Sequence, residues 1–227
     1  DPETAIEAIS KVHSQALETA TEGDIEAATK AAPPGTDGLD IVKAAVENAS
    51  CVVAQVNDRM PRVHGDSFIH IEDVDFLLHH NEALLEYTPR ANVDITRRIG
   101  KNIARLVEDG DTIQVGYGAV ANSILESLSG KKHLGVHTEL FSDGIAELMK
   151  KGVIDNTRKT INRGKSVASF CMGHHKTYEF IHDNPDIDFR TIDYTNDPVV
   201  IAQHDNMAAI NSALEIDLTG QATAESI

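Results

Sequence analysis

Short apolar runs alternate with amphipathic stretches along most of this chain, and the two periods predict different elements. Apolar residues at Ile6, Ile9, Val12 and Leu17 in an alanine-rich background read as helix over residues 1–30, which the run Ala-Pro-Pro-Gly-Thr-Asp-Gly at 32–38 breaks as a loop. A helix is predicted over 40–49, a strand over 51–56, another over 67–71 and an amphipathic helix over 94–108. A strand at 112–115 then runs straight into Gly116-Tyr117-Gly118 and a helix that reaches Leu128. Further strands are predicted over 133–139, 165–172 and 207–218, and helices over 143–151, 174–181 and 199–203, with Gly152 stopping the first of these. Strands that alternate with helices of about ten residues imply βαβ units. The expected fold class is therefore α/β, a mostly parallel sheet with helices on both faces. Such sheets bind ligands at the carboxyl ends of their strands, which gives residues 116–118 and Glu139 comparable positions. No internal repeat or low-complexity tract interrupts the pattern.

The chain's 227 residues fit one large domain or two small ones. No apolar run approaches the ~18 residues of a membrane span, and the opening residues 1–6 are acidic, without the basic-then-apolar order of a signal peptide. A net charge of −16 argues against nucleic acid and anionic membranes as partners. It also requires any anionic ligand to be held by backbone N–H groups, helix N-termini and a few local Lys or Arg side chains. Aromatic residues make up 4% and Trp is absent, too few for base-stacking platforms. Cys51 and Cys171, each inside a strand-like run, are expected to be buried free thiols. That suits a reducing, cytoplasmic-type compartment or an organelle matrix.

Two places could carry chemistry. Gly116-Tyr117-Gly118 is a strand–turn–helix whose glycines allow close backbone approach to an anion. The third glycine of a dinucleotide fingerprint is replaced by Ala121, yet Glu139 lies 21 residues after Gly118, so a nicotinamide-cofactor site and a purely structural turn both stay open. Glu139 closes a buried apolar strand among His137, Thr138 and Ser142, a costly position for an acid unless it is paired, caps a helix or does chemistry. The pairs His79-His80 and His174-His175 point apart and lack ligand partners, so surface or cap roles are expected and no metal site. Cys171 beside His174 and His175 is read as core packing before thiol chemistry. Arg59, Arg62 and His64 form a basic patch that either braces a turn or contacts a carboxylate.

Four ordered blocks sharpen this: Ala-Gln-Val-Asn-Asp-Arg-Met-Pro-Arg-Val-His-Gly-Asp-Ser at 54–67, Gln-Val-Gly-Tyr-Gly-Ala at 114–119, Leu-Gly-Val-His-Thr-Glu-Leu-Phe-Ser-Asp-Gly at 134–144, and Ile-Asn-Ser-Ala-Leu-Glu-Ile-Asp-Leu-Thr-Gly-Gln at 210–221. From about residue 40 to 227 the chain resembles the acetyl-CoA hydrolase/transferase family, which includes 4-hydroxybutyrate, butyrate and acetate CoA-transferases. The resemblance implies that Glu139 is a nucleophile and that Gln114, Val115, Gly116, Tyr117 and Gly118 form a CoA-binding loop. It also implies that a strand around Ala213 and Leu214 borders the same CoA. The implied activity is acyl-CoA:carboxylate CoA transfer through a glutamyl-CoA thioester, with coenzyme A a substrate and no resident cofactor. Acyl-CoA hydrolysis and a non-catalytic CoA-binding subunit are the alternatives, and a homodimer or larger homo-oligomer is expected. Family members are much longer. Residues 1–40 are accordingly expected to be an abridged remnant of the N-terminal domain, with a break in the trace within 9–40. Residues 41–227 are expected to hold the rest of that half and a catalytic domain cut short before a glycine-rich oxyanion loop.

Overall fold

The computed structural model describes residues 39–87, 93–116 and 118–223. The helix, loop and chain break expected before residue 39 lie outside these residues. Helix α1 (Leu39–Asn48) leads into strand β1 (Val53–Val56), a 3-10 turn (Ile71–Asp73) and β2 (Phe76–His79), which pairs in parallel with β1. Then follow α2 (Val93–Ile103), β3 (Thr112–Val115), α3 (Ala119–Ser127), β4 (Gly135–Val136), β5 (Leu140–Ser142) and α4 (Asp143–Lys150). The remainder is β6 (Ser166–Ala168), β7 (Phe170–Met172), α5 (His175–Ile181), β8 (Ile187–Phe189), α6 (Ile192–Thr195), α7 (Pro198–Ile201), β9 (Met207–Ile210), β10 (Glu215–Ile216) and β11 (Ala222–Thr223).

Every strand pair but the β10–β11 hairpin is parallel. β3 lies between β4 and β9, β6 pairs with β8, and the single bridge His137↔Val167 joins the two groups into the order β9-β3-β4-β6-β8. From β3 the chain steps one way through β4, β6 and β8, then returns past its start to β9. Right-handed crossovers place α3, α4 and α5 on one face and, because the direction reverses, α6 and α7 on the other. The helix contacts agree: α2, α3, α4 and α5 pack in series, and α1, α6 and α7 form a separate group. Ile113, Leu125, Leu128, Val136, Phe141, Ile145 and Phe189 are fully buried between sheet and helices. At about 1.5–3 kcal/mol each, such side chains supply most of the drive to fold.

Several predicted strands are broken, always where a strand changes partner. The stretch 133–139 begins beside β3, where Gly135 N–H donates to Asp111 O at 2.8 Å and His137 N–H to Ile113 O at 3.1 Å. One residue later it turns to the other neighbour, with Thr138 N–H donating to Val167 O at 3.0 Å. The stretch 165–172 splits likewise at Ser169, whose N–H leaves its ladder for Glu139 O. The last predicted strand, 207–218, ends at Ile210, and its remainder folds back as β10–β11 around Asp217, which accepts from Thr219 and Gln221 N–H. Residues 67–71 are not a strand. Phe68 is 62% exposed there, and the partner of β1 is the next apolar run, 76–79. Helix α2 stops at Ile103, five residues early, in a tight turn that leaves Leu106 exposed. Cys171 is buried as expected, whereas Cys51 precedes β1 and is exposed. Among the described residues no helix is long and apolar enough to cross a membrane.

Candidate functional site

The reversal of direction between β3 and β9 opens the sheet at their carboxyl ends, the usual ligand position in a doubly wound fold. Register aligns Val115 with Ile210, and Gly116 N–H donates to Ile210 O at 2.9 Å, so the glycine turn and Asn211 leave the sheet side by side. Gln114 and Asn211 exchange amide hydrogen bonds of 3.1 and 2.8 Å across this opening. A Cβ on Gly116 would sit 2.8 Å from Asn211 Oδ1, so a side chain there would push the amide pair aside. Gly118 is required for a different reason: its φ of +113° is a glycine conformation, although a Cβ would meet nothing within 4 Å. With Gly118 as N-cap, the first turn of α3 has no side-chain cap, and its N–H groups face the turn's mouth. Val115 is buried, and Tyr117 lies outside the described residues.

Thr138 ties β4 to β3 beyond their ladder. Its hydroxyl accepts from Val115 N–H at 3.3 Å and donates to Val115 O at 3.2 Å. Glu139 follows one residue further on, in the break between β4 and β5. Its backbone O accepts from Ser169 and Phe170 N–H at 2.8 and 3.0 Å, which fixes the main chain. Its half-buried carboxylate accepts from Asn196 Nδ2 at 3.2 Å. Glu139 does not cap α4, because Ser142 holds that position. The narrow cleft beside the glycine turn is lined by Gly116, Gly118, Asn122, Leu140, Asp143 and Met172; Glu139 is not among its lining residues, although its chain neighbour Leu140 is.

Ala213 and Leu214 do not lie in a strand. Both are exposed on the arm from β9 to the hairpin, where Leu214 N–H donates to Thr223 O at 2.8 Å. The histidine pairs take surface and capping roles. His79 and His80 are exposed, and His174 is the N-cap of α5 with its Nδ1 2.6 Å from Asp143 Oδ2. Burial would raise the Asp143 carboxyl, but hydrogen bonds from the Thr177 hydroxyl and from His174 outweigh it and hold it below its ordinary value. Among the described residues no group of three potential ligands could hold a metal. The Arg59–Arg62–His64 stretch braces a turn: Arg62 N–H donates to His182 Nδ1, and His64 Nε2 lies 3.0 Å from Asp183. Sequence reasoning named His137 beside Glu139 but missed Asn196, which meets its carboxylate, and the buried Lys159 and His204.

Comparison with known proteins now decides the family. The acetyl-CoA hydrolase/transferase N-terminal domain matches residues 33–89 and the C-terminal domain of the same family matches 173–227. The 4-hydroxybutyrate coenzyme A transferase of Clostridium kluyveri is 47% identical over 188 residues, 83% of this chain and 44% of that protein. The chain belongs to the acetyl-CoA hydrolase/transferase family. Among solved structures of this kind, the 4-hydroxybutyrate CoA-transferase of Porphyromonas gingivalis superposes with a TM-score of 0.79 at 41% identity, covering 84% of this chain and 50% of that one. RipA from Yersinia pestis gives 0.78 at 39% identity, over 84% and 46%. The chain thus spans about half the length of the relatives it matches. The glycine turn and Glu139 fall between the two matched family domains.

Proposed function

We propose that this chain serves an acyl-CoA:carboxylate CoA-transferase and that Glu139 is its nucleophile. The observation that carries the proposal is a half-buried glutamate in the break between β4 and β5, its main chain fixed by Ser169 and Phe170 and its carboxylate steered by one amide. The names of the matched CoA-transferases supply the substrate class, acyl-CoA and a small carboxylate. Glu139 attacks the thioester carbonyl, and the C–S bond breaks to give CoA thiolate and an acyl–glutamyl anhydride. The thiolate then attacks the glutamyl carbonyl, forming a glutamyl-CoA thioester and releasing the first carboxylate. An acceptor carboxylate runs both steps in reverse. Electron pairs move between carboxylate and thiolate alone, so no proton transfer is required, and the covalent route divides one hard exchange into two easier ones.

The uncapped first turn of α3 supplies backbone N–H groups for the anionic CoA, which suits a chain of net charge −16. Exposed Cys51 as a free thiol fits a reducing, cytoplasm-like compartment, and a homo-oligomer is the expected assembly. The test is turnover of butyryl-CoA with and without acetate. Exchange that needs acetate supports the transferase, equal thioester loss without it makes the protein a hydrolase, and no turnover in either case leaves a CoA-binding role.

Gly118→Ala separates binding from folding. There is room for the methyl, so the folding cost is the strain of an essentially glycine-only conformation, about 1–3 kcal/mol. The same methyl would stand at the mouth where CoA approaches. The KM for butyryl-CoA should rise about 10-fold or more while the melting temperature falls by only a few degrees. An unchanged KM would remove the turn from the CoA site.

A further inference from the structure

Beneath Glu139 lie three basic side chains that the exchange chemistry does not use. Lys159, His137 and His204 are all buried, and the two histidine rings pack with centroids 4.8 Å apart, with Tyr194 at 6.2 Å from His137 on its other side. Lys159 Nζ donates to Val136 O and Lys165 O, both at 2.7 Å, which holds β4 one residue below His137. His137 Nε2 lies 2.9 Å from Thr195 O. A carbonyl can only accept, so Nε2 carries the proton. Burial, with Lys159 nearby, holds this ring below its ordinary pKa, in keeping with a neutral side chain whose single N–H is spent on that one bond.

That bond reaches the catalytic carboxylate in one step along the chain. Thr195 is held by His137 at its carbonyl, by the Ser169 hydroxyl at its own hydroxyl, and by α6, where its N–H donates to Thr191 O at 3.2 Å. The following residue, Asn196, gives its amide to Glu139 Oε2 at 3.2 Å. His137 and Glu139 thus meet the same short segment, His137 at the carbonyl of Thr195 and Glu139 at the amide of Asn196. Ser169 N–H meanwhile holds Glu139 O. The lower bond therefore acts with the turn of α6, where Asn196 N–H donates to Ile192 O at 2.9 Å, in setting where the upper amide stands.

We propose that His137 is a positioning residue: its Nε2–H holds Thr195, which seats Asn196 and so aims the Glu139 carboxylate. This rests on Glu139 being the nucleophile. A misplacement near 1 Å can cost ~10²-fold in rate, so loss of the bond should appear in kcat and not in binding.

The test compares His137→Leu, His137→Gln and His137→Asn in the full chain, assayed for butyryl-CoA/acetate exchange. Leucine has no donor, and asparagine is too short to reach Thr195 O. Both should lower kcat about 10- to 100-fold, with the KM for butyryl-CoA within about twofold. Glutamine places an N–H where Nε2 stood and should restore most of the rate. Asn196 is exposed, so Asn196→Ala should fold normally, lose a similar factor, and add nothing when combined with His137→Asn, because both act through one contact. If His137→Leu fails to fold, the asparagine and glutamine variants still decide the matter. Full activity of His137→Asn, a glutamine variant as slow as the asparagine one at equal melting temperature, or multiplying losses in the double variant would each overturn the proposal. Glu139→Gln in the same assay keeps the two ideas apart. If it stays active, the nucleophile is misassigned; if it is dead while His137→Asn is fully active, the positioning role alone fails.

Discussion

Glu139→Gln should leave no CoA exchange above background, a loss of about 10³-fold or more, and no CoA bound to the protein. Glutamine keeps the size of the side chain and an oxygen for the Asn196 amide, so the fold and its melting temperature should hold while the anionic nucleophile is gone. Incubating the parent protein with butyryl-CoA and no acceptor should trap CoA on a peptide containing Glu139, detected by mass. Glu139→Asp keeps the charge but withdraws it by one methylene, and should retain activity reduced ~10²-fold. The same adduct on the glutamine variant would move the nucleophile elsewhere. Glu147 and Glu215 would be the first acids to examine, although Glu147 is paired with Lys150 at 3.2 Å and Glu215 is exposed on the hairpin. Exchange that survives without any adduct would mean direct transfer in a ternary complex. Either result removes the covalent role from Glu139.

The elements that could be read from the sequence are those whose signal is local. Thr112–Val115 is an apolar run followed at once by two glycines, and the structure returns the same four residues. Helix α4 starts at Asp143 and ends before Gly152 as its charge and glycine signals require. The breaks at Thr138 and Ser169 were not legible, because their cause is a change of hydrogen-bonding neighbour and no turn residue marks it. Residues 67–71 alternate like a strand, but alternation does not say which of two apolar runs finds the partner. The glycine turn could be singled out at the end of β3 and Glu139 as an acid within an apolar run, although that run breaks between β4 and β5 where Glu139 stands. Asn196 could not, since it reaches Glu139 across 57 residues of sequence from an exposed helix end. Lys159 sits in Asn-Thr-Arg-Lys-Thr, a stretch that reads as solvated surface, and only the folded chain brings the carbonyls of Val136 and Lys165 to its ammonium.

Lys159→Met should destabilise the protein by about 2–4 kcal/mol near pH 9, since it keeps the side chain's length but strips the donor from two buried carbonyls. The penalty should also depend on pH in a sense that identifies the lysine. Burial lowers Lys159 from 10.5 to about 7, with Asp188 pulling weakly the other way. A neutral amine still has two N–H donors, enough for both carbonyls. Between those two values the unfolded chain holds the proton and the folded one does not, so stability rises with pH, by at most about 1.4 kcal/mol per unit. Below pH 7 both states carry the proton, and the contribution gained at high pH is gone. The methionine variant lacks this slope. Its deficit against the parent should therefore be larger at pH 9.5 than at pH 6.5, read from urea midpoints at the two values. His204, lowered to about 4 by burial, by the neighbouring His137 and by Lys159, adds a loss of stability as pH falls from 6.5 towards 4, which lies below the two pH values compared. Parallel curves for parent and variant would mean that Lys159 stays protonated in the fold throughout, held by the two carbonyls as a buried ammonium.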